Sequence, residues 1–232
     1  MAKRRRQRAA NDPWSLATYP EPEAAWALNL PASTLRSWIH GRSYPAHNET
    51  QNWEPLISPA GRDAQGVLLS FLNLVELHIL RALREADVSV GSIRKAIQWL
   101  STESPDNQHP LIRKDLHTYG NGIFIKKLGE IVEISYGGQH AIKQAVEQHL
   151  LKIEWENHLP IRLYPYSASG SVSFEIDPKV GFGQLRLTGT RIPVAVLLER
   201  YEAGESYKSL ADDYGQSKKT IEAAIRSFDS AA

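Results

Sequence analysis

Two stretches of this chain obey one ruler. In one of them, Ala211 is followed by Gly215 four positions on, by Ile221 ten positions on, and then by Ala224. This is the core spacing of a helix-turn-helix. The small residue lets two helices cross closely, the glycine takes a turn conformation that is costly for other residues, and Ile221 and Ala224 plug the second helix into the core. Ala25, Asn29 and Leu35 repeat the spacing, and Trp38 stands where Ala224 stands in the other copy. Asn can replace Gly because it tolerates left-handed backbone. Pro31 suits the first turn of the second helix. The expected fold is mainly α with small β-hairpins, built on two helix-turn-helix (winged-helix-like) domains.

The ruler also says which side chains stay outside. In the copy nearer the N-terminus these are Ser33, Thr34, Arg36 and Ser37, with Arg42 beyond the helix end at Gly41. In the other they are Ser217, Lys218, Lys219, Thr220, Glu222 and Arg226. A recognition helix meets DNA with such a face. Hydroxyls bond phosphates or base edges, and arginine grips guanine at two points. The same spacing also packs helices in proteins that never touch DNA.

Charge is unevenly placed. The net charge is +1, yet Lys3, Arg4, Arg5, Arg6 and Arg8 put about +5 in the first eight residues, leaving about −4 for the rest. A uniformly basic DNA-coating protein is excluded; a basic arm on a nearly neutral body fits. Residues 1–12 are either a solvated tail or an arm that follows phosphates, with the strong salt dependence that implies.

Several classes fall away. The chain has no cysteine, which removes disulfides, thiolate metal sites and thiol redox sensing. No apolar run approaches a membrane span, and no apolar segment follows the basic start, so a cytoplasmic protein without a membrane partner is expected. There is no Walker loop and no His-Glu-x-x-His, and Gly181-Phe182-Gly183 lacks the third glycine of a dinucleotide fingerprint. The eight histidines are scattered, with His109 and His117 the only nearby pair in a loop region. Asp212 and Asp213 are adjacent, so on a helix they point apart. No catalytic residue, metal or cofactor is expected.

Between the two units, residues 41–66 form a loop, with a strand at Trp53–Ser58 in the place of a wing. Val67–Ala86 is a helix with a wide apolar face, in which His78 is read as packed or solvated rather than as a ligand. Ser89 caps the next helix, which carries Ile93, Ala96, Ile97 and Leu100 inside. Ile123–Lys127 and Ile131–Ser135 read as a hairpin, and Gly137–Trp155 as a helix. Short extended segments fill 158–187. Pro193 starts a helix over 194–203, Gly204 ends it, Ser206 caps one over 206–213, and the last runs over 217–228. The domains are then a basic arm (1–12), a helix-turn-helix domain with helical scaffold (13–155) and a small β plus helix-turn-helix domain (156–232). Arg191, after a tight turn, is expected to hold an acidic group of the core or of a partner.

Family resemblance attaches to specific residues. From Trp26 to Ser58 the order of elements resembles the DNA-binding domain of MerR-type regulators, with Leu35-Arg36-x-Trp38 the most specific part. Residues 174–228 resemble a small bacterial helix-turn-helix family on Gly181 and Gly183, Gly189-Thr190-Arg191-Ile192 with Val194, Tyr201 with Gly204 and Ser206, and Leu210-Ala211 with Tyr214-Gly215. Such domains are often encoded beside PIN-domain toxins. The longer form with a MerR-like front half resembles VapB-type antitoxins. The resemblance implies an antitoxin that neutralises a VapC-type PIN-domain ribonuclease and represses its own operon by binding operator DNA. Many such antitoxins use a long C-terminal tail. Here only Asp229–Ala232 come after the last helix, so the toxin-binding surface is expected elsewhere, with the apolar turn Leu159–Tyr166 one candidate.

Three readings stay open at this point. One is the antitoxin. Another is a stand-alone MerR-like regulator with an effector pocket within 67–155, lined by Trp99 or Trp155. The third is an interaction scaffold in which both units only pack. A homodimer is expected, because one helix-turn-helix reads only a short half-site.

Overall fold

The computed structural model describes residues 12–46, 49–103, 105, 107–112, 136–166 and 172–229. The basic arm and the expected hairpin at 123–135 lie outside them. The chain divides into two compact units, Met1–Ile161 and Arg162–Ala232.

In the first unit, β1 (Tyr19–Pro20) leads into α1 (Glu21–Ala27) and α2 (Ala32–His40). Pro22 in the first turn costs no helical hydrogen bond, and Glu21 and Glu23 complement the helix dipole there. Asn29 takes φ 50°, the left-handed turn that its residue type tolerates. Ala24, Ala25, Leu28, Leu35, Trp38 and Ile39 are all buried. A hairpin comes next, β2 (Arg42–Ala46) antiparallel to β3 (Glu49–Trp53), with Arg42 opposite Trp53. Gly41, at φ 76°, is required where α2 meets this hairpin, because a Cβ would run into the Trp53 carbonyl oxygen. The strand expected at Trp53–Ser58 is thus displaced. Trp53 ends a strand, and Leu56 and Ile57 turn inward instead, with their N–H groups bonded to the Trp38 carbonyl.

Then β4 (Gly61–Arg62) and β5 (Val67–Leu69) complete a three-stranded sheet in the order β1-β5-β4. The helix expected from Val67 therefore begins later, as α3 (Phe71–Glu85). Ser70 explains the shift. Its hydroxyl accepts from the Asn73 N–H, while the Asn73 side chain accepts from the Ser70 N–H, a reciprocal cap that fixes the start. Val67 and Leu69 are buried from the strand, not from the helix. Ser89 opens α4 (Val90–Glu103) by accepting from the Ser92 N–H. A short 3₁₀ turn (Pro110–Ile112) and α5 (Tyr136–Leu150) pack on α3. The helix expected to reach Trp155 stops at Leu150, because Ile153–Glu156 forms strand β6, succeeded by β7 (Leu159–Leu163).

Among its described residues the second unit is a small sheet, a 3₁₀ turn (Gly181–Gly183) and three α-helices. β8 (Phe174–Glu175) pairs antiparallel with β9 (Arg186–Leu187), and a bridge joins Leu163 to Ile176. Its helices are α6 (Val194–Glu202), α7 (Tyr207–Tyr214) and α8 (Lys218–Asp229). Gly204 ends α6 at φ 99°, and the Ser206 hydroxyl caps α7 by accepting from the Ser209 N–H. Gly215 makes the left-handed turn at φ 62°, and Ala211, Ile221 and Ala224 are buried behind it. Tyr166, Phe174 and Phe228 close the core with ring centroids 5.1–5.5 Å apart.

The Gly-Thr-Arg-Ile segment is a built turn. Gly189 has φ 73°, the Thr190 hydroxyl donates to the Leu187 carbonyl at 2.8 Å and accepts from the Ile192 N–H at 3.1 Å, and Ile192 is buried. Arg191 is exposed and does not hold an acid of the core, which leaves of the two expected roles only an acidic group of a partner. The core role falls to Arg186, whose Nε donates to Glu175 at 2.8 Å, and to Arg162, which reaches Asp177 at 3.1 Å. Glu175, Asp177 and Arg186 are all buried, and they fasten β8, β9 and the segment after β8 to one another.

Candidate nucleic-acid interface

In the first unit, α2 turns Ser33 and Arg36 to solvent, with Thr34 and Ser37 half-buried beside them and Arg42 exposed past the helix end. The expected face is therefore brought together. Its chemistry is partly engaged within the unit. The Ser37 hydroxyl donates to the Thr34 carbonyl at 2.8 Å. Arg36 lies 3.5 Å from Glu21, which also meets His40 at 2.6 Å. The Arg36 side chain is 66% exposed, so this ion pair is worth at most about 1 kcal/mol and yields readily to a phosphate or a base. The β2–β3 hairpin comes directly after α2, in the place of a wing. The turn between β4 and β5 lines a hollow with Glu21 and Arg36, and the Asp63 carboxylate fixes it by accepting from the Gln65 and Gly66 N–H groups.

Arg81 and Arg84 join this face without being marked in the sequence. They line a hollow with Asn29, Thr34 and Ser37. Arg81 braces the turn by donating to the Leu28 carbonyl at 2.9 Å and to Glu85 at 2.6 Å. Nothing in the helix-turn-helix spacing points to them, because they come from a helix more than forty residues downstream.

In the second unit, Ser217, Lys218 and Lys219 are exposed and Thr220 is half-buried. Ser217 caps α8 by accepting from the Thr220 N–H at 3.0 Å, and its hydroxyl meets the Thr220 hydroxyl at 2.8 Å. Arg226 is exposed and pairs with Glu222 at 2.7 Å. Two lysines in the opening turn oppose the helix dipole. Asp213 is exposed and faces the neighbouring helix α6. It meets Arg200 at 2.5 Å, and Arg200 also grips Glu205 with two bonds of 2.6 Å. Lys3, Arg4, Arg5 and Arg6 lie outside the described residues.

Several buried polar groups of the first unit are paired within it, whereas His78 Nδ1 has no hydrogen-bond partner among the described residues. Glu76 accepts from His109 Nδ1 at 2.9 Å and from the Asn73 amide at 3.4 Å, and burial pushes its carboxyl up against those bonds. His78 packs against His149 with ring centroids 4.7 Å apart. His149 Nε2 donates to Glu85 at 2.9 Å, which leaves its Nδ1 to accept from His78 Nε2 at 3.3 Å. Burial pushes His78 down to about 3, so it is neutral at physiological pH. Among the described residues no three His, Asp or Glu side chains gather as metal ligands would. A hollow of about 620 Å³ is lined by Ile57, Glu76, Arg94 and Ile97; neither Trp99 nor Trp155 is on its wall.

The fold is thus mainly α with small β-hairpins and two helix-turn-helix units. Residues 17–97 match a family described as "Putative DNA-binding HTH domain", and residues 175–226 match one described as "Protein of unknown function (DUF433)". The chain is 28% identical, over 224 residues, to a Mycobacterium tuberculosis (strain ATCC 25618 / H37Rv) protein named "Putative antitoxin VapB45", covering 89% of this chain and 92% of that one. Its fold is shared with the crystal structure of Rv2018 from Mycobacterium tuberculosis, at a TM-score of 0.68 and 22% identity, covering 90% of this chain and 98% of that one. Among the described residues no helix is long and apolar enough to cross a membrane.

Proposed function

We propose that this chain is the antitoxin of a type II toxin–antitoxin module. It binds and inhibits a VapC-type PIN-domain ribonuclease in the cytoplasm, has no catalytic activity, and as a homodimer binds operator DNA to repress its own operon. The observation that carries the reading is the near end-to-end similarity to a relative named as an antitoxin. The two exposed helix faces support the DNA half of it. Ser33, Thr34, Arg36, Ser37 and Arg42 serve one unit, in a MerR-like arrangement with the hairpin as wing. Ser217, Lys218, Lys219, Thr220 and Arg226 serve the other, and the basic arm Lys3–Arg6 adds phosphate contacts without sequence preference. The expected outcome is that a PIN-domain protein encoded beside this chain arrests growth when expressed alone, and that co-expression of this chain restores it. Arrest that persists despite co-expression defeats the proposal.

The hollow beside Glu76 favours a second reading, a regulator that answers to a small ligand. A ligand-dependent rise in melting temperature, with no PIN-domain gene nearby, favours that reading over the first.

A further inference from the structure

Phe182 is 92% exposed, the most exposed of the large apolar side chains among the described residues. Its backbone is left-handed, at φ 58° and ψ 25°, a region that bulky residues avoid. It sits between Gly181 at φ 56° and Gly183 at φ 78°. The loop is held from both ends. Gly183 N–H donates to the Val180 carbonyl at 3.1 Å, and Gln184 N–H to the Gly181 carbonyl at 3.2 Å. Lys179 N–H donates to the Asp177 carboxylate at 2.9 Å. Asp177 is itself fastened by Arg162 and Arg186. The loop thus starts from a buried ion network and carries an aromatic ring in water on a disfavoured backbone. Strain of this kind persists only where the surrounding structure enforces it, and it clusters at functional positions.

The same loop borders a hollow of about 440 Å³: Gly181, the residue before Phe182, stands on its wall with Lys179, Arg186 and Arg191, and no carboxylate does. Arg186 is only 6% exposed and already pairs with Glu175 and Asp177, so Lys179 and Arg191 are the exposed cations of this wall. A projecting aromatic on a loop that borders an exposed arginine is the chemistry of a protein-interface anchor.

We infer that Phe182 and the cation-lined hollow that its loop borders form the docking surface for a protein partner that offers an apolar socket flanked by a carboxylate side chain. On the antitoxin reading, on which this inference rests, that partner is the toxin. A concave hollow suits a protruding acidic side chain better than the convex phosphate ridge of a duplex. The surface also replaces the turn Leu159–Tyr166 as the candidate. Of that turn only Leu159 is exposed, while Leu163 and Pro165 are buried and Tyr166 packs on Phe174.

Isothermal titration of the full-length protein with the purified PIN-domain protein encoded beside it tests the assignment. Phe182→Ala and Arg191→Glu each weaken the complex about 10- to 100-fold, with unfolding midpoint and promoter binding unchanged. Phe182→Gly, which relieves the strained backbone, keeps the fold and binds as weakly as the alanine variant. A wild-type complex that survives these substitutions at full affinity overturns the surface and leaves the antitoxin reading standing. No wild-type complex at all overturns both. Abolished promoter binding or self-association, with the toxin complex intact, assigns the surface to DNA or to a second copy and overturns the inference.

Discussion

The two helix-turn-helix units solve one geometric problem with different residues. Both place a left-handed residue at the turn, Asn29 at φ 50° in the first and Gly215 at φ 62° in the second. The first opens its recognition helix behind Pro31 with no side-chain cap; the second uses the Ser217 hydroxyl. The first fills the crossing with Trp38, the second with Ala224. Outside, Arg36 shares Glu21 with His40, whereas Lys218 and Lys219 open α8 against the dipole. The difference teaches that the spacing specifies the crossing, while the filling residues set stability and the outer residues set chemistry. The first unit carries the group suited to reading a base. The second carries point charges suited to phosphate.

Breaking the two plugs gives the largest contrast. Trp38→Ala costs about 3–5 kcal/mol through the cavity it leaves. Ala224→Leu costs about 1–3 kcal/mol through overpacking. Denaturant unfolding reads both, and equal small losses would show that Trp38 is not the core of the first unit. On the outer faces, Arg36→Ala costs about 1–3 kcal/mol in operator binding and relaxes preference at one base position. An unchanged affinity in a fluorescence titration rejects that role for Arg36.

The first unit also has a histidine pH signature, and residues 162–232 contain no histidine. His78 is pushed down to about 3 by burial, and His149 is lowered as well, again mainly by burial. In the unfolded chain a histidine takes up its proton near 6.5. The folded state resists that proton, so the stability these groups contribute is complete above about 6.5 and is lost as pH falls below it, at up to about 1.4 kcal/mol per pH unit for each group. Glu76 works with opposite sign, since a raised carboxyl gains from protonation on folding. His78→Gln therefore flattens the fall in stability between pH 7 and 5 relative to wild type. Parallel curves from thermal melts across that range would contradict the assignment. The turns give the smallest contrast. Gly215→Ala, with open space around its Cβ, costs about 1 kcal/mol from φ alone, and Asn29→Gly changes stability by a few tenths.

Much of this fold is legible in the sequence because it is local. Ala, Gly or Asn, and an apolar residue at fixed separations are one motif, and Ser206, Ser217 and Gly204 announce helix ends in their own turn. Ser70 is equally local but hides inside an apolar run, where Val67–Leu69 shares the apolar look of the α3 residues after it. The buried Arg186–Glu175 and Arg162–Asp177 pairs are not legible, since nothing in the spacing couples positions from separate strands. Phe182 reads in the sequence only as part of a glycine pattern that fails to bind dinucleotide. Its exposure depends on two flanking backbone conformations that composition does not reveal.

The division of labour between the two units is tested most directly by titrating the protein onto its own promoter fragment at several salt concentrations. The account predicts a salt-dependent complex in which Lys218→Ala with Lys219→Ala lowers the slope of log affinity against log salt by about 1 for each lysine that reaches a phosphate, while Arg36→Ala leaves the slope nearly intact and removes sequence preference. No salt-dependent binding, or identical behaviour of the two variants, would contradict it.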